Sequence, residues 1–232
     1  MAALAERCDF LVLTETRDTV ERKATLYQHH FRSHWYVSSF IDQCKGGIDI
    51  LIKHSFAARF GIYRYEDLVR CWEVLIKGRL GRLRLQGREG CLDIYALYLD
   101  PASKSEQSVS ILKLARSVDR RVHSLAAGDF NFVEGEFDRW RKDGSGWSLG
   151  ADAHVAKLWR ENVLSQGLRE WEQPIHTCET AMVCSRIDRC YSSLHLSHVV
   201  TEDIFCHALE RLPDISAHRP IEFGLRRRLQ QS

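Results

Sequence analysis

No two cysteines stand two residues apart, although the chain holds 8 of them in 232 residues. Zinc ribbons and dithiol redox centres need that spacing, so neither is expected. Cys178, Cys184 and Cys190 recur every six residues near His176. Structural zinc sites favour closer ligand pairs, and buried core thiols account for this run better. Scattered cysteines of this kind fit a reducing, intracellular setting. Prolines number only 4, and no low-complexity tract interrupts the chain, as in an ordinary globular protein. Nothing approaches the ~18 consecutive apolar residues of a membrane span. No amphipathic membrane-binding segment stands out, and the apolar run in Met1–Arg7 is too short for a secretory signal. No membrane partner or targeting signal is therefore expected. No Gly-rich loop ending in Lys-Ser or Lys-Thr occurs, so a nucleotide triphosphatase is not expected. A serine hydrolase built on a nucleophile elbow is not expected either. A net charge of +2 does not by itself announce a nucleic-acid binder.

What remains is enough for one large domain with its own core, spanning residues 1–232 with the core at about 8–225. Cys8 to Leu13 is a nearly continuous apolar run, the mark of a strand buried on both faces. Asp18, with Glu21 three residues on, reads as a capping box opening a helix to about Phe31. Trp35 to Phe40 and Ile48 to Lys53 read as a hairpin around Lys45-Gly46-Gly47. From Phe60 to Leu99 the pattern is all strand and turn: Ile62 to Arg64, Trp72 to Ile76, Leu80 to Leu85 and Cys91 to Leu99. Ser103 with Glu106 opens a second helix, whose stripe is Ile111, Ala115, Val118 and Val122. Glu134 to Gly150 reads as an irregular loop, and a third helix runs from about Ala151 to Ser165. Short strands follow at Pro174 to Cys178, Ala181 to Cys184, Ile187 to Ser192 and His198 to Val200, and a turn from Asp214 feeds a last one. Helices distributed among a majority of strands predict layers of mixed sheet with helices outside.

The centre of this pattern is Leu125-Ala126-Ala127-Gly128-Asp129-Phe130-Asn131. A buried strand ends at a glycine, and if extended geometry persists, alternation sets Asp129 and Asn131 on one face with Phe130 behind. A carboxylate and an amide at a strand's carboxyl end can handle a proton and orient a phosphate or a water; a plain turn uses the same residues. Glu15, Tyr98, Asp188 and His218 also fall at strand ends, where open α/β sheets tend to place their sites. Arg82 and Arg84 share one strand face and are candidate phosphate contacts, against the alternative of a solvated edge. Arg139, Arg141, Lys142 and Arg226 to Arg228 are further candidates.

Taken in order, Leu11-Val12-Leu13-Thr14-Glu15-Thr16, Gly46-Gly47-Ile48-Asp49-Ile50-Leu51, Ile94-Tyr95-Ala96-Leu97-Tyr98, Gly128-Asp129-Phe130-Asn131, Ser185-Arg186-Ile187-Asp188-Arg189 and Ser216-Ala217-His218-Arg219-Pro220-Ile221 resemble the endonuclease/exonuclease/phosphatase superfamily. The Ser-Arg-Ile-Asp form is most similar to endonuclease domains of non-LTR retrotransposons and to apurinic endonucleases. The resemblance implies a four-layer α/β sandwich of two packed mixed sheets flanked by helices. It implies Mg²⁺-dependent (or Mn²⁺-dependent) phosphodiester hydrolysis of DNA, and a nuclear location if genomic DNA is the substrate. By the same resemblance Glu15 ligates the metal, Asp129 manages a proton and is held by Asn131, and Tyr98 steadies the phosphate. His218, oriented by Asp188, donates to a phosphoryl oxygen as an imidazolium. A monomer is expected.

Two departures are visible. Ala217 stands where the family pattern carries an aspartate close to the metal. Only Met1 to Arg7 precede Cys8 and they hold no asparagine, so the family's first strand is expected to be missing. A fragment, a mis-started reading frame or a decayed copy of a mobile element beside a reverse transcriptase would each give such a chain. A catalytically degenerate member that only binds nucleic acid or a protein partner is the alternative to an active nuclease.

Overall fold

The computed structural model describes residues 5–17, 19–42, 46–88, 90–147, 152–194, 202–211 and 216–227. Its contacts divide into two compact units, Met1–Asp100 with Arg121–Gly128, and Pro101–Arg120 with Asp129–Ser232.

In the first unit, strands β1 (Phe10–Thr14), β2 (His34–Ser39) and β3 (Ile48–Lys53) form an antiparallel sheet in the order β1-β3-β2. Period-two alternation decides the two faces of β3. Ile48, Ile50 and Ile52 face a buried cluster with Leu83, Leu85, Ile94, Ala96 and Tyr98 of a second sheet. Leu51 faces the other way, onto Tyr27 and Phe31 of helix α1 (Val20–His30). The first unit is therefore helix on sheet on sheet, and each fully buried Ile or Leu contributes about 1.5–3 kcal/mol to holding the layers. The second sheet runs β7-β6-β5-β4, from β4 (Trp72–Ile76), β5 (Leu80–Gly87), β6 (Gly90–Tyr98) and β7 (His123–Asp129). Gly128 is required near the end of β7: its φ is 146°, and a Cβ there would lie 1.9 Å from the Leu97 carbonyl oxygen.

Helix α1 is capped by Thr19, whose hydroxyl accepts from the Arg22 amide. Asp18, the expected cap, lies outside the described residues, and α1 begins two positions beyond it. The stretch expected to hold only strands and turns contains helix α3 (Tyr65–Arg70), and helix α2 (His54–Arg59) precedes it. Residues 62–64 are not a strand. Each of these helices is six residues long, under two turns, so a 3.6-residue stripe has no room to repeat. Each anchors on few side chains: Phe56 and Ala57 in α2, Leu68 in α3.

The second unit holds helices α4 (Lys104–Ser117) and α5 (Ala153–Asn162), which pack on each other. Ser103 caps α4 by accepting from the Glu106 amide, as its sequence pattern predicts. The region expected as an irregular loop forms strands β8 (Arg139–Arg141) and β9 (Gly146–Trp147). They complete an antiparallel sheet in the order β11-β12-β8-β9, with β11 (Cys178–Glu179) and β12 (Val183–Ser185). Strand β10 (Arg169–Glu170) pairs with β13 (Asp188–Ser192). Strand β14 (Glu202–Ala208), which the sequence reading did not anticipate, pairs along its whole length with β15 (Ile221–Arg227). The expected strand at His198–Val200, the turn residues Asp214 and Ile215, and Arg228 lie outside the described residues. The core here is aromatic. Phe130 lies 5.1 Å from Trp159 and 5.2 Å from Tyr191, centroid to centroid, and all three are buried. Among the described residues no helix is long and apolar enough to cross a membrane.

Candidate active site

Asp129 is buried at the end of β7, and its carboxylate is held by Asn131 from two directions. The Asn131 amide N–H donates to Oδ1 at 2.9 Å and its Nδ2 donates to Oδ2 at 2.8 Å. Alternation does not bring the two together, because Asn131 leaves extended geometry with φ of 48°. The chain folds back through a left-handed residue, a conformation that asparagine tolerates better than most. Glu15, with φ of 55°, is the other non-glycine residue of positive φ among the described residues. Both strained positions are residues of the expected site, as strain retained for function would give.

Asp188 opens β13 and His218 lies just before β15. His218 Nδ1 sits 2.9 Å from Asp188 Oδ2. Asp129, Asp188 and His218 each bring one potential ligand atom within 4.8 Å of the other two. Burial opposes charge on the imidazole, but its hydrogen bonds to Asp188 and Cys178 and the charges of Asp188 and Asp129 outweigh that, raising its pKa to about 11. At neutral pH this favours the imidazolium form, which can donate from both ring nitrogens. Backbone geometry fixes the pair. The Thr177 hydroxyl accepts from the Asp188 amide at 2.9 Å and the Ile187 amide at 3.1 Å, the Thr177 carbonyl accepts from Arg219, and Cys178 bridges to His218. Sequence reasoning missed Thr177. A single threonine before a two-residue strand carries no signal of its own.

Glu15 and Tyr98 meet in the first unit. The Tyr98 hydroxyl donates to Glu15 Oε1 at 2.5 Å, and Arg17 pairs with the same oxygen at 2.8 Å. Glu15 keeps 42% of its side chain exposed, and a half-exposed carboxylate oxygen is a donor that suits a hard divalent cation. Thr16, next in sequence, accepts from the buried Lys23 ammonium, which also binds Ser38 and Asp49.

The expected phosphate-binding arginines are largely committed elsewhere. Arg84 forks onto Asp93 at 2.7 and 2.6 Å, Arg82 pairs with Glu73 at 2.5 Å, and Arg139 pairs with Asp152 at 2.8 Å. Arg141 pairs with Asp143 but keeps 45% of its side chain exposed. Side chains of Arg226 to Arg228 lie outside the described residues. Cys178, Cys184 and His176 do not form a metal-ligand group among the described residues. Gly146-Trp147-Ser148-Leu149-Gly150 does match the spacing of a nucleophile elbow, so spacing alone does not exclude a serine hydrolase. Its glycine and tryptophan form an antiparallel two-residue strand, unlike the strand-to-helix turn that presents such a serine, and 148–150 lie outside the described residues.

The model of the Endonuclease/Exonuclease/phosphatase family matches residues 1–210. The chain belongs to that family. Solved structures with this family member's fold include an AP endonuclease from Archaeoglobus fulgidus, at 16% identity and a TM-score of 0.64 over 94% of this chain and 89% of that one. The endonuclease domain of TRAS1, a telomere-specific non-LTR retrotransposon, aligns at 14% identity and TM-score 0.60, covering 97% and 88%. The 3' phosphatase NExo from Neisseria, bound to product DNA hairpin, aligns at 16% identity and TM-score 0.62, covering 93% and 89%. No curated protein matches in sequence. The mixed α/β class expected from the sequence is the fold that these structures share with the family member described here.

Proposed function

We propose that the chain is a divalent-metal-dependent phosphodiesterase acting on DNA, with its proton chemistry at Asp129, Asn131, Asp188 and His218. The observation that carries this reading is the Asp188–His218 pair at 2.9 Å beside an Asn131-held Asp129. In-line attack on a phosphodiester builds negative charge on the phosphoryl oxygens, and an imidazolium kept charged by Asp188 donates to that charge. Asp129, a buried acceptor oriented by two hydrogen bonds, takes a proton from the attacking water or passes one to the leaving oxygen. Tyr98 is the candidate for steadying a phosphate, and Glu15 is the candidate metal ligand. A bound Mg²⁺ or Mn²⁺ supplies charge neutralisation to the phosphoryl group. Of the candidate arginines whose side chains are described, Arg141 is the one carried forward as a contact to the DNA backbone.

The Ser-Arg-Ile-Asp form of the fifth motif and the likeness to the TRAS1 domain support descent from a retrotransposon endonuclease; a reverse transcriptase encoded beside this frame would test it. The DNA-bound neighbour supports DNA as the substrate. Ala217 favours a second reading, a member that binds DNA without cutting it. The deciding experiment is Mg²⁺-dependent nicking of supercoiled plasmid. Nicking that disappears in His218→Ala supports the hydrolase. Binding without nicking, at every metal concentration, would select the second reading.

A further inference from the structure

The second unit exposes an aromatic sheet face that the proposed chemistry leaves unused. Glu179, Cys184, Trp140 and Trp147 face one another across β11, β12, β8 and β9, so they share one side of that sheet. Trp140 is 38% exposed and Trp147 45%, with centroids 5.1 Å apart. Phe137, 70% exposed, and His176 lie against Trp147 at 5.8 and 5.6 Å. Soluble proteins rarely leave such rings together in water unless something covers them.

The charge beside the rings says what kind of partner. Lys142 donates to Glu179 at 2.7 Å, and Arg211 and Arg219 add their fields to the same carboxylate. Three cations around one anion make the rim of the face basic. Exposed rings bordered by a basic rim suit a polyanion that offers flat apolar surfaces, which describes unpaired nucleic acid. A duplex hides its base faces, and an acidic protein surface, though matched in charge, lacks a regular row of flat rings.

His218 bridges to Cys178, whose neighbours across the sheet are Ser185 and Arg139, so it lies on the side of the sheet opposite the rings. The aromatic face is therefore separate from the proposed catalytic group.

We infer that Trp140 and Trp147 form a stacking platform for single-stranded DNA on the outer side of that sheet. The inference goes beyond the proposed function, and base stacking is read without catalysis. The test measures binding of labelled dT12 and of a blunt 12-base-pair duplex, in EDTA and low salt, to the whole chain and its variants. Trp147→Ala and Trp140→Ala should each weaken dT12 binding about 5- to 100-fold, with duplex binding and the far-ultraviolet circular dichroism unchanged. Trp147→Phe should keep most of the affinity, since a flat ring remains.

Unchanged dT12 affinity in both alanine variants would overturn the platform, as would an equal loss for duplex or no dT12 binding by the unmodified chain. So would a concentration-dependent dimer that Trp147→Ala dissolves, because the face would then belong to a second copy. Plasmid nicking is scored separately. A chain that stacks dT12 but never nicks loses the proposed hydrolase and keeps the platform, and a chain that nicks without ring-dependent binding does the reverse.

Discussion

Strand β13 and its approach carry two ion-pair systems within four residues, and they are built differently. Arg186 and Arg189 point into a closed network. Arg189 is fully buried and reaches Asp138 at 2.8 Å, with Glu134 and Glu170 each at 3.7 Å. Arg186 binds the other oxygen of Asp138 at 2.7 Å and also pairs with Glu170. Burial alone would push the Asp138 carboxyl up, but Arg189, the Gly135 amide and Arg186 hold it below the usual range. Between the arginines, Asp188 turns to His218, which keeps 31% of its side chain exposed. One system uses a cation that never releases its proton and seals it from water. The other uses a cation that can exchange a proton and leaves it accessible. A buried arginine network fixes geometry, whereas an accessible histidine beside two carboxylates can do chemistry.

The largest effect should come from opening the closed network. Arg189→Met takes one of two guanidinium partners from the buried Asp138 and Glu170, which should destabilise the chain by about 3–5 kcal/mol. Thermal unfolding should show this as a fall of about 6–20 °C. A shift under 2 °C would mean the network is not structural. His218→Ala should instead lower the melting temperature by less than Arg189→Met does, while reducing nicking about 10²- to 10³-fold, the usual loss when a donor to a developing oxyanion is removed. Equal thermal losses in the two variants would erase the distinction between the systems.

Asp188→Asn sharpens the comparison through pH. The pKa of His218 is raised from 6.5 to about 11 by Asp188, Cys178 and Asp129 against the opposing effect of burial. The protonated form is therefore favoured in the folded state. Its stabilising contribution is fully present below about 6.5 and is lost as pH rises through about 11. With the Asp188 charge gone, the imidazole should titrate at a lower pH. Nicking by Asp188→Asn should fall between pH 7 and 9, where the unmodified chain stays flat. Histidine ring chemical shifts across the same range check the protonation directly, and coincident titration curves would refute the role given to Asp188.

The smallest effect is expected at Ala217. It is exposed, and its carbonyl accepts from the Glu179 amide, so a side chain added there meets little crowding. Ala217→Asp should raise Mg²⁺-dependent nicking several-fold by adding an oxygen ligand or acceptor next to His218. Loss of nicking in this variant would show that the position has another use.

The sequence revealed the layered α/β class, since strands such as β3 and β6 are mostly apolar, interrupted inside by Asp49 and Asp93 alone. It also revealed the Asp129, Asn131, Asp188 and His218 group, because their flanking residues repeat a family pattern. What stayed hidden has physical causes. Helices α2 and α3 are shorter than two turns. Strand β14 alternates only weakly, with Glu202 and Asp203 opening it. Arg82 and Arg84 looked like a phosphate ridge because their carboxylate partners, Glu73 and Asp93, stand on neighbouring strands nine residues away. The hold of Asn131 on Asp129 depends on a left-handed φ that no periodicity encodes.

One measurement bears most directly on the site: plasmid nicking by Asp129→Ala at saturating Mg²⁺, beside the unmodified chain and with melting temperatures for both. Asp129 accepts the proton in the chemistry proposed, so nicking should fall by about 10²- to 10⁴-fold with DNA affinity retained. If Asp129→Ala nicks plasmid as fast as the unmodified chain, the hydrolysis does not take place at Asp129 and His218.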